Sequence, residues 1–209
     1  MKHLLYLFII VSLFSCNKRE DTKPKAFQKI PYNRSYDYRD SLVKKFIPNT
    51  KYDYWEYIAV HTSYNAERNY DYDIVRFGGD TTFRKKLKEQ SELLGFFSGG
   101  HPGWRIKQVA VVENGKPDYL LTADQVKPFL GTIDNLEEAL YLALLSGYQL
   151  DSSDLRGSGY KITETGYEMH LMKFHEYPSR YESVEVFITK EGFMRTRSLG
   201  IYCKGYNCH

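Results

Sequence analysis

Residues 133–150 constrain the fold more than any other stretch of the chain. Asp134 stands three residues before Glu137, a spacing that lets side chains satisfy exposed N–H groups of a first helical turn. Both acids also suit the positive end of a helix. Leu136, Ala139, Leu140, Ala143 and Leu144 then share one face, while Leu142 and Leu145 cover much of the other. A helix that is apolar nearly all round belongs inside a protein. Gly147 supplies the residue that ends it in the left-handed conformation. The remainder of the chain has to wrap this helix.

The C-terminal third supplies much of that wrapping. After a polar loop at 151–158, strand-like runs fall at 160–163, 167–174, 181–189 and 193–202, with turns at Thr165-Gly166, Tyr177-Pro178 and Glu191-Gly192. Val184, Val186 and Ile188 alternate with Glu185, Phe187 and Thr189, which is strand periodicity. The fold class is therefore α+β: a buried helix packed on a C-terminal antiparallel β-meander, with further N-terminal strands and a surface helix. In the N-terminal half, residues 37–46 suit a short helix ending before Pro48, and 55–62 and 72–77 suit strands, the second ended by Gly78-Gly79. Asp80 can cap a surface helix over 81–94, with Phe83, Leu87 and Leu94 as a narrow apolar stripe. Residues 106–112 and 119–122 flank Asn114-Gly115, a pair suited to the positive φ angles of a tight hairpin turn. A short helix over 122–130 is expected to be interrupted at Pro128.

The first sixteen residues carry an address. Lys2 and His3 precede an apolar run from Leu4 to Phe14 that is too short for the ~20 residues a membrane-spanning helix needs. It fits the central region of a secretory signal, and it ends Leu13-Phe14-Ser15-Cys16. That ending resembles the lipobox of bacterial lipoproteins: Leu13, Ser15 and Cys16 match, and Phe14 is larger than the usual residue. The resemblance implies a signal peptide over 1–15 and lipidation of Cys16 with palmitate-type acyl chains. The polar, aperiodic stretch that follows reads as a flexible tether over 16–34, and the remaining length suits one globular domain over 35–209. Asn17, in place of the aspartate that retains such proteins on the inner membrane, implies the outer membrane. Lys18-Arg19-Glu20-Asp21 resembles the surface-export signal of Bacteroidota lipoproteins, with Arg19 departing from it, so the periplasmic face and the cell surface both stand open. From Phe129 onward, Phe129-Leu130-Gly131-Thr132-Ile133-Asp134, Glu137-Glu138-Ala139, Gly147-Tyr148, Lys190-Glu191-Gly192 and Asn207-Cys208 resemble uncharacterised Bacteroidota lipoproteins. This implies an exported α+β domain and transfers no catalytic residue.

Assigning Cys16 to lipid leaves two of the three cysteines, Cys203 and Cys208. In an oxidising compartment such a pair reads as a disulfide that pins the tail. Two free thiols, or a metal site completed by His209, are the alternatives.

The net charge of +3 is too small to imply nucleic acid. No phosphate-binding glycine loop and no serine-hydrolase elbow occurs, and no catalytic residue, cofactor or metal is assigned. His170 and His175 are five apart on an expected strand and so point to opposite faces. Glu168 and His170 share a face, but two ligands fall short of a site. Tyrosine is the compositional outlier, with 19 residues against two tryptophans. Tyr-Asp-Tyr occurs at 36–38, 52–54 and 70–72, and flat rings beside carboxylates suit sugars, protein partners or a half-buried strand alike. Tyr52, Tyr54, Trp55 and Tyr57 are the candidate binding residues, with His101 and Trp104 of a glycine-rich loop. The expectation is a membrane-anchored envelope lipoprotein with a non-enzymatic domain that binds a protein or glycan. An envelope hydrolase with a dispersed site near His101, or an immunity or inhibitor lipoprotein, are the alternatives.

Overall fold

The structure, a computed structural model, describes residues 26–32, 38–49, 51–61, 71–87, 95–96 and 105–205. Among them, nine strands form two antiparallel sheets. β1 (Gln28–Lys29), β6 (Ser158–Ile162), β7 (Gly166–His175), β8 (Arg180–Thr189) and β9 (Met194–Lys204) make a five-stranded sheet in that order. β3 (Asp71–Gly79), β2 (Tyr54–His61), β4 (Arg105–Glu113) and β5 (Lys116–Leu120) make a four-stranded one. The helices are α1 (Tyr38–Val43), α2 (Ala123–Leu130) and α3 (Leu136–Leu145). The chain is thus α+β with a C-terminal β-meander, β6 to β9.

α3 is the centre that its composition implies. Glu138, Ala139, Leu140, Tyr141, Leu142, Ala143 and Leu144 are all buried. One core cluster joins residues 139–144 to Leu42, Val43 and Phe46, to Trp55, Tyr57, Val109 and Val111 of the four-stranded sheet, and to Phe129 and Leu130 of α2. From the five-stranded sheet, the facing pairs Tyr167/Ile188, Met169/Val186 and Leu171/Val184 join the same cluster. Side chains alternate across a strand, so this register sends every odd residue of β7 from 167 to 171 inward. It turns Glu168, His170, Glu185 and Phe187 to the opposite face.

Four local expectations change. Asn135, not Asp134, caps α3: its Oδ1 accepts from the Glu138 backbone N–H at 2.9 Å, and Glu138 Oε2 accepts from the Asp134 N–H at 2.8 Å. The capping pair is shifted by one residue, because Glu138 is the acid turned into the core. Pro128 does not interrupt α2, whose N-terminus is secured by the reciprocal Thr122/Gln125 capping box. Pro128 is exposed, so the helix forgoes one N–H bond on its solvent side. The segment after Asp80 is a 3-10 helix, Thr81–Lys86, and Leu87 is extended with ψ 116°. Asp80 does cap it, accepting from the Thr82 N–H at 2.9 Å. Two β-branched threonines followed by Phe83 lower the helix propensity of its first turn. Residues 88–94 lie outside the described residues.

The fourth change concerns the tether. Residues 28–30 are not a free linker: β1 pairs with β6, the Ile30 N–H donates to the Ser158 carbonyl at 2.7 Å, and Ile30 is 1% exposed. A two-residue strand has no periodicity to read, so its place comes wholly from the partner strand. Both hairpin residues, by contrast, behave as their types dictate, Asn114 at φ 53° and Gly115 at φ 72°.

Candidate functional site

The aromatic cluster singled out in the sequence proves to be interior. Tyr54, Trp55 and Tyr57 are 1%, 7% and 0% exposed, so a ligand arriving from solvent does not reach them. The cause is topological. β2 lies between β3 and β4, and both its faces are covered. Trp55 meets Phe129 edge-on at 5.4 Å, and Tyr57 meets Tyr141 edge-on at 6.1 Å. Burial pushes both phenols up, Tyr57 and Tyr141 alike. On the other face, the Tyr54 hydroxyl donates to Glu56 Oε2 at 2.8 Å, and Arg84 Nε donates to the same oxygen at 3.2 Å. Tyr52 is half-buried, tilted against Phe129 at 5.5 Å with the Lys51 ammonium 4.8 Å above its ring. These rings pack the core, and Asp53 serves the fold as well by accepting the Gly115 N–H at 2.8 Å. Cys16, His101, Trp104 and Cys208 lie outside the described residues. Cys203 is half-buried near the end of β9 and is not a free thiol.

Chemistry gathers instead on the outer side of the five-stranded sheet. The register builds two rows across it. Lys161, Glu168, Phe187 and Arg195 form one, and Gly159, His170, Glu185 and Arg197 the next. Lys161 Nζ lies 2.8 Å from Glu168 Oε2, and Arg197 Nη2 donates to Glu185 Oε2 at 2.9 Å. The Arg195 guanidinium sits over the Phe187 ring at 4.4 Å. Phe27, just before β1, stacks on the His170 imidazole with centroids 3.8 Å apart and planes 21° from parallel. A Cβ on Gly159 would stand 3.3 Å from Phe27 Cδ1 and 2.9 Å from the Leu155 carbonyl oxygen, so the glycine is what lets both come down onto the strand.

Burial pulls the His170 pKa below its ordinary value, and Lys161 and Arg197 act the same way, while Glu185 and Glu168 oppose them. The imidazole is therefore neutral at pH 7 and offers a nitrogen lone pair. Glu168, His170 and Glu185 each offer one ligand atom within 4.8 Å of the others. His175, on the opposite face of β7, pairs with Glu182 at 2.6 Å. The Glu182 carboxyl is held low by hydrogen bonds from Ser198 and His175.

One end of the outer face is closed by residues 151–157. The Tyr202 hydroxyl donates to Asp151 Oδ2 at 2.9 Å, Arg156 lies over the Tyr202 ring at 4.9 Å, and the Ser183 hydroxyl donates to the Arg156 carbonyl at 2.5 Å. Burial, then the Asp151 carboxylate, raise the Tyr202 phenol pKa. Next to this loop on the outer face lies the row of His170 and Glu185, and beyond it the row of Glu168.

The pairing of Glu168 with His170 is legible from their spacing, but Glu185 is not. It joins them because β8 pairs in a register that sets it opposite His170. Comparison of the chain with protein-family models, with curated proteins and with solved structures finds no match.

Proposed function

We propose that this is a lipid-anchored protein of the bacterial cell envelope, held at the outer membrane through Cys16. Its α+β domain acts as a non-enzymatic binding module for an envelope protein or glycan. The observation that supports the binding reading is the outer face of the five-stranded sheet, where Arg195 covers Phe187 and the exposed Arg197 side chain reaches Glu185. Arginine and aromatic side chains dominate the energetics of protein contacts. Beside the Phe27–His170 stack, with Lys161 5.0 Å over the Phe27 ring, the Glu168 and Glu185 carboxylates also offer acceptors for glycan hydroxyls. The anchor reading is supported by the lipobox-like Leu13-Phe14-Ser15-Cys16. In this reading the tether ends before β1, and a Cys203–Cys208 disulfide ties down the chain beyond β9.

Two measurements test it. Radiolabelled palmitate should enter the native protein and not the Cys16→Ala variant. Absence of label together with recovery of the native protein in the soluble fraction would sink the anchor. Affinity capture from the native envelope, repeated with F187A/R195A and run beside a glycan array, should retain a partner that the double variant loses. Capture unchanged by that substitution removes the outer face from the function.

A further inference from the structure

We infer that Glu168, His170 and Glu185 form a binding site for a divalent transition cation of the zinc class on the outer face of the five-stranded sheet. The inference uses the same face as the partner reading but does not depend on it, since the cation can be titrated with no partner present. β7 contributes Glu168 and His170, two residues apart and so on one face, and β8 contributes Glu185 directly opposite His170. The three ligand atoms lie within 4.8 Å of one another. A tetrahedral site with bonds of about 2.0–2.2 Å needs them about 3.4 Å apart. Both glutamates have rotatable stems that can close the difference while the backbone register stays fixed.

Further features of the same place shape how a cation binds. The imidazole is held by its stack on Phe27, which covers a ring face and leaves the ring edge, where the nitrogens are, to the carboxylates. Lys161 and Arg197 each engage one carboxylate oxygen, Oε2 of Glu168 and Oε2 of Glu185. Their positive charges oppose a bound cation, so the ion has to take the remaining oxygens and displace these two side chains toward solvent. One imidazole with two carboxylates suits zinc, copper, iron or nickel, whereas magnesium and calcium prefer oxygen alone. Three protein ligands leave a coordination position toward solvent for water or a partner's donor group.

The test is calorimetric titration of the full-length chain in detergent, carrying no polyhistidine tag, with Zn²⁺ alone and with Mg²⁺ alone. One Zn²⁺ per chain is expected, with no heat from Mg²⁺. H170A and E185Q should each weaken Zn²⁺ at least tenfold, E185Q keeping the side-chain shape in case His170→Ala disturbs the Phe27 contact. Co²⁺ should give the visible absorption of a low-symmetry site in the native chain and lose it in both variants. No stoichiometric Zn²⁺ binding, or binding that both variants leave unchanged while H175A abolishes it, overturns the assignment. Equal heats from Mg²⁺ would overturn the transition-metal class.

Discussion

The Glu138 carboxylate, on the first turn of α3, accepts the backbone N–H of Ile47 at 2.5 Å across 91 residues of sequence. Its second oxygen takes the Asp134 N–H at 2.8 Å, and the residue is fully buried. One side chain thus ties the chain leaving α1 to the chain entering α3 through two part-buried hydrogen bonds. Glu138→Ala removes both and is expected to cost about 1–3 kcal/mol, at about 0.5–1.5 kcal/mol per net hydrogen bond, because water can still reach the exposed Ile47 and Asp134. Glu138→Gln keeps one acceptor and should cost less than half as much. Urea unfolding of the two variants measures the difference, and equal costs would show that the carboxylate does not bridge these segments.

The same group carries a pH signature. Burial raises the Glu138 pKa, outweighing the backbone donors that pull it down. The folded state therefore takes up its proton at higher pH than the unfolded chain does. By linkage, stability from this group increases as pH falls from neutrality and levels off below the ordinary glutamate value of about 4.3. Relative to Glu138→Gln, which does not titrate, the native chain should gain stability between pH 7 and that limit. Denaturant midpoints of both chains across that range give the comparison. A native chain that loses ground to the variant on acidification contradicts the assignment.

How far the sequence discloses this architecture depends on the range over which each signal acts. The all-apolar pattern of α3 is local and strong, and so is the demand of Asn114-Gly115 for positive φ, and both are met. The cap of α3 is off by one because Asp134 and Asn135 are both good capping residues, and the choice is made by Glu138 reaching Ile47, a contact from another part of the chain. β1 has two residues and is created by its neighbour. The aromatic cluster misleads for a related reason. Tyr54, Trp55 and Tyr57 suit a ligand and a buried strand alike, and the choice is made by what packs on β2: Phe129 and Tyr141 on one face and Arg84 on the other, all distant in sequence. Glu185 joins Glu168 and His170 through inter-strand register, on which neither strand's sequence is informative by itself.

Lys107 and Asp40 form a buried ion pair at 2.6 Å, 4% and 8% exposed, joining β4 to α1. Removing one partner leaves the other as an uncompensated interior charge. Lys107→Met is therefore expected to destabilise by about 3–5 kcal/mol. Pairing it with Asp40→Leu should recover most of that loss, because two apolar groups replace two charges that must be desolvated. Thermal or urea unfolding of the two single variants and the double variant completes the cycle. If the double variant is as unstable as the sum of the singles, the two charges do not act as a pair.

Gly79 and Gly115 both take positive φ, at 86° and 72°, and both border Asp53. Gly115 donates its N–H to Asp53 Oδ2, while the Asp53 carbonyl accepts the Asp80 N–H, one residue past Gly79, at 2.8 Å. Their surroundings differ sharply. A Cβ on Gly115 meets nothing within 4 Å, whereas one on Gly79 would stand 2.3 Å from the Asp53 carbonyl oxygen. Gly115→Ala carries only the left-handed strain, about 1 kcal/mol. Gly79→Ala adds a backbone collision that can be relieved only by parting β3 from β2, and should cost about 2–4 kcal/mol in all. Gly115→Asn, which tolerates left-handed φ, should lie closer to the native chain than Gly115→Ala. Chemical denaturation of the three variants gives the ranking. Equal losses at the two glycines would mean that β2 and β3 do not approach as closely at Asp53 as the structure places them.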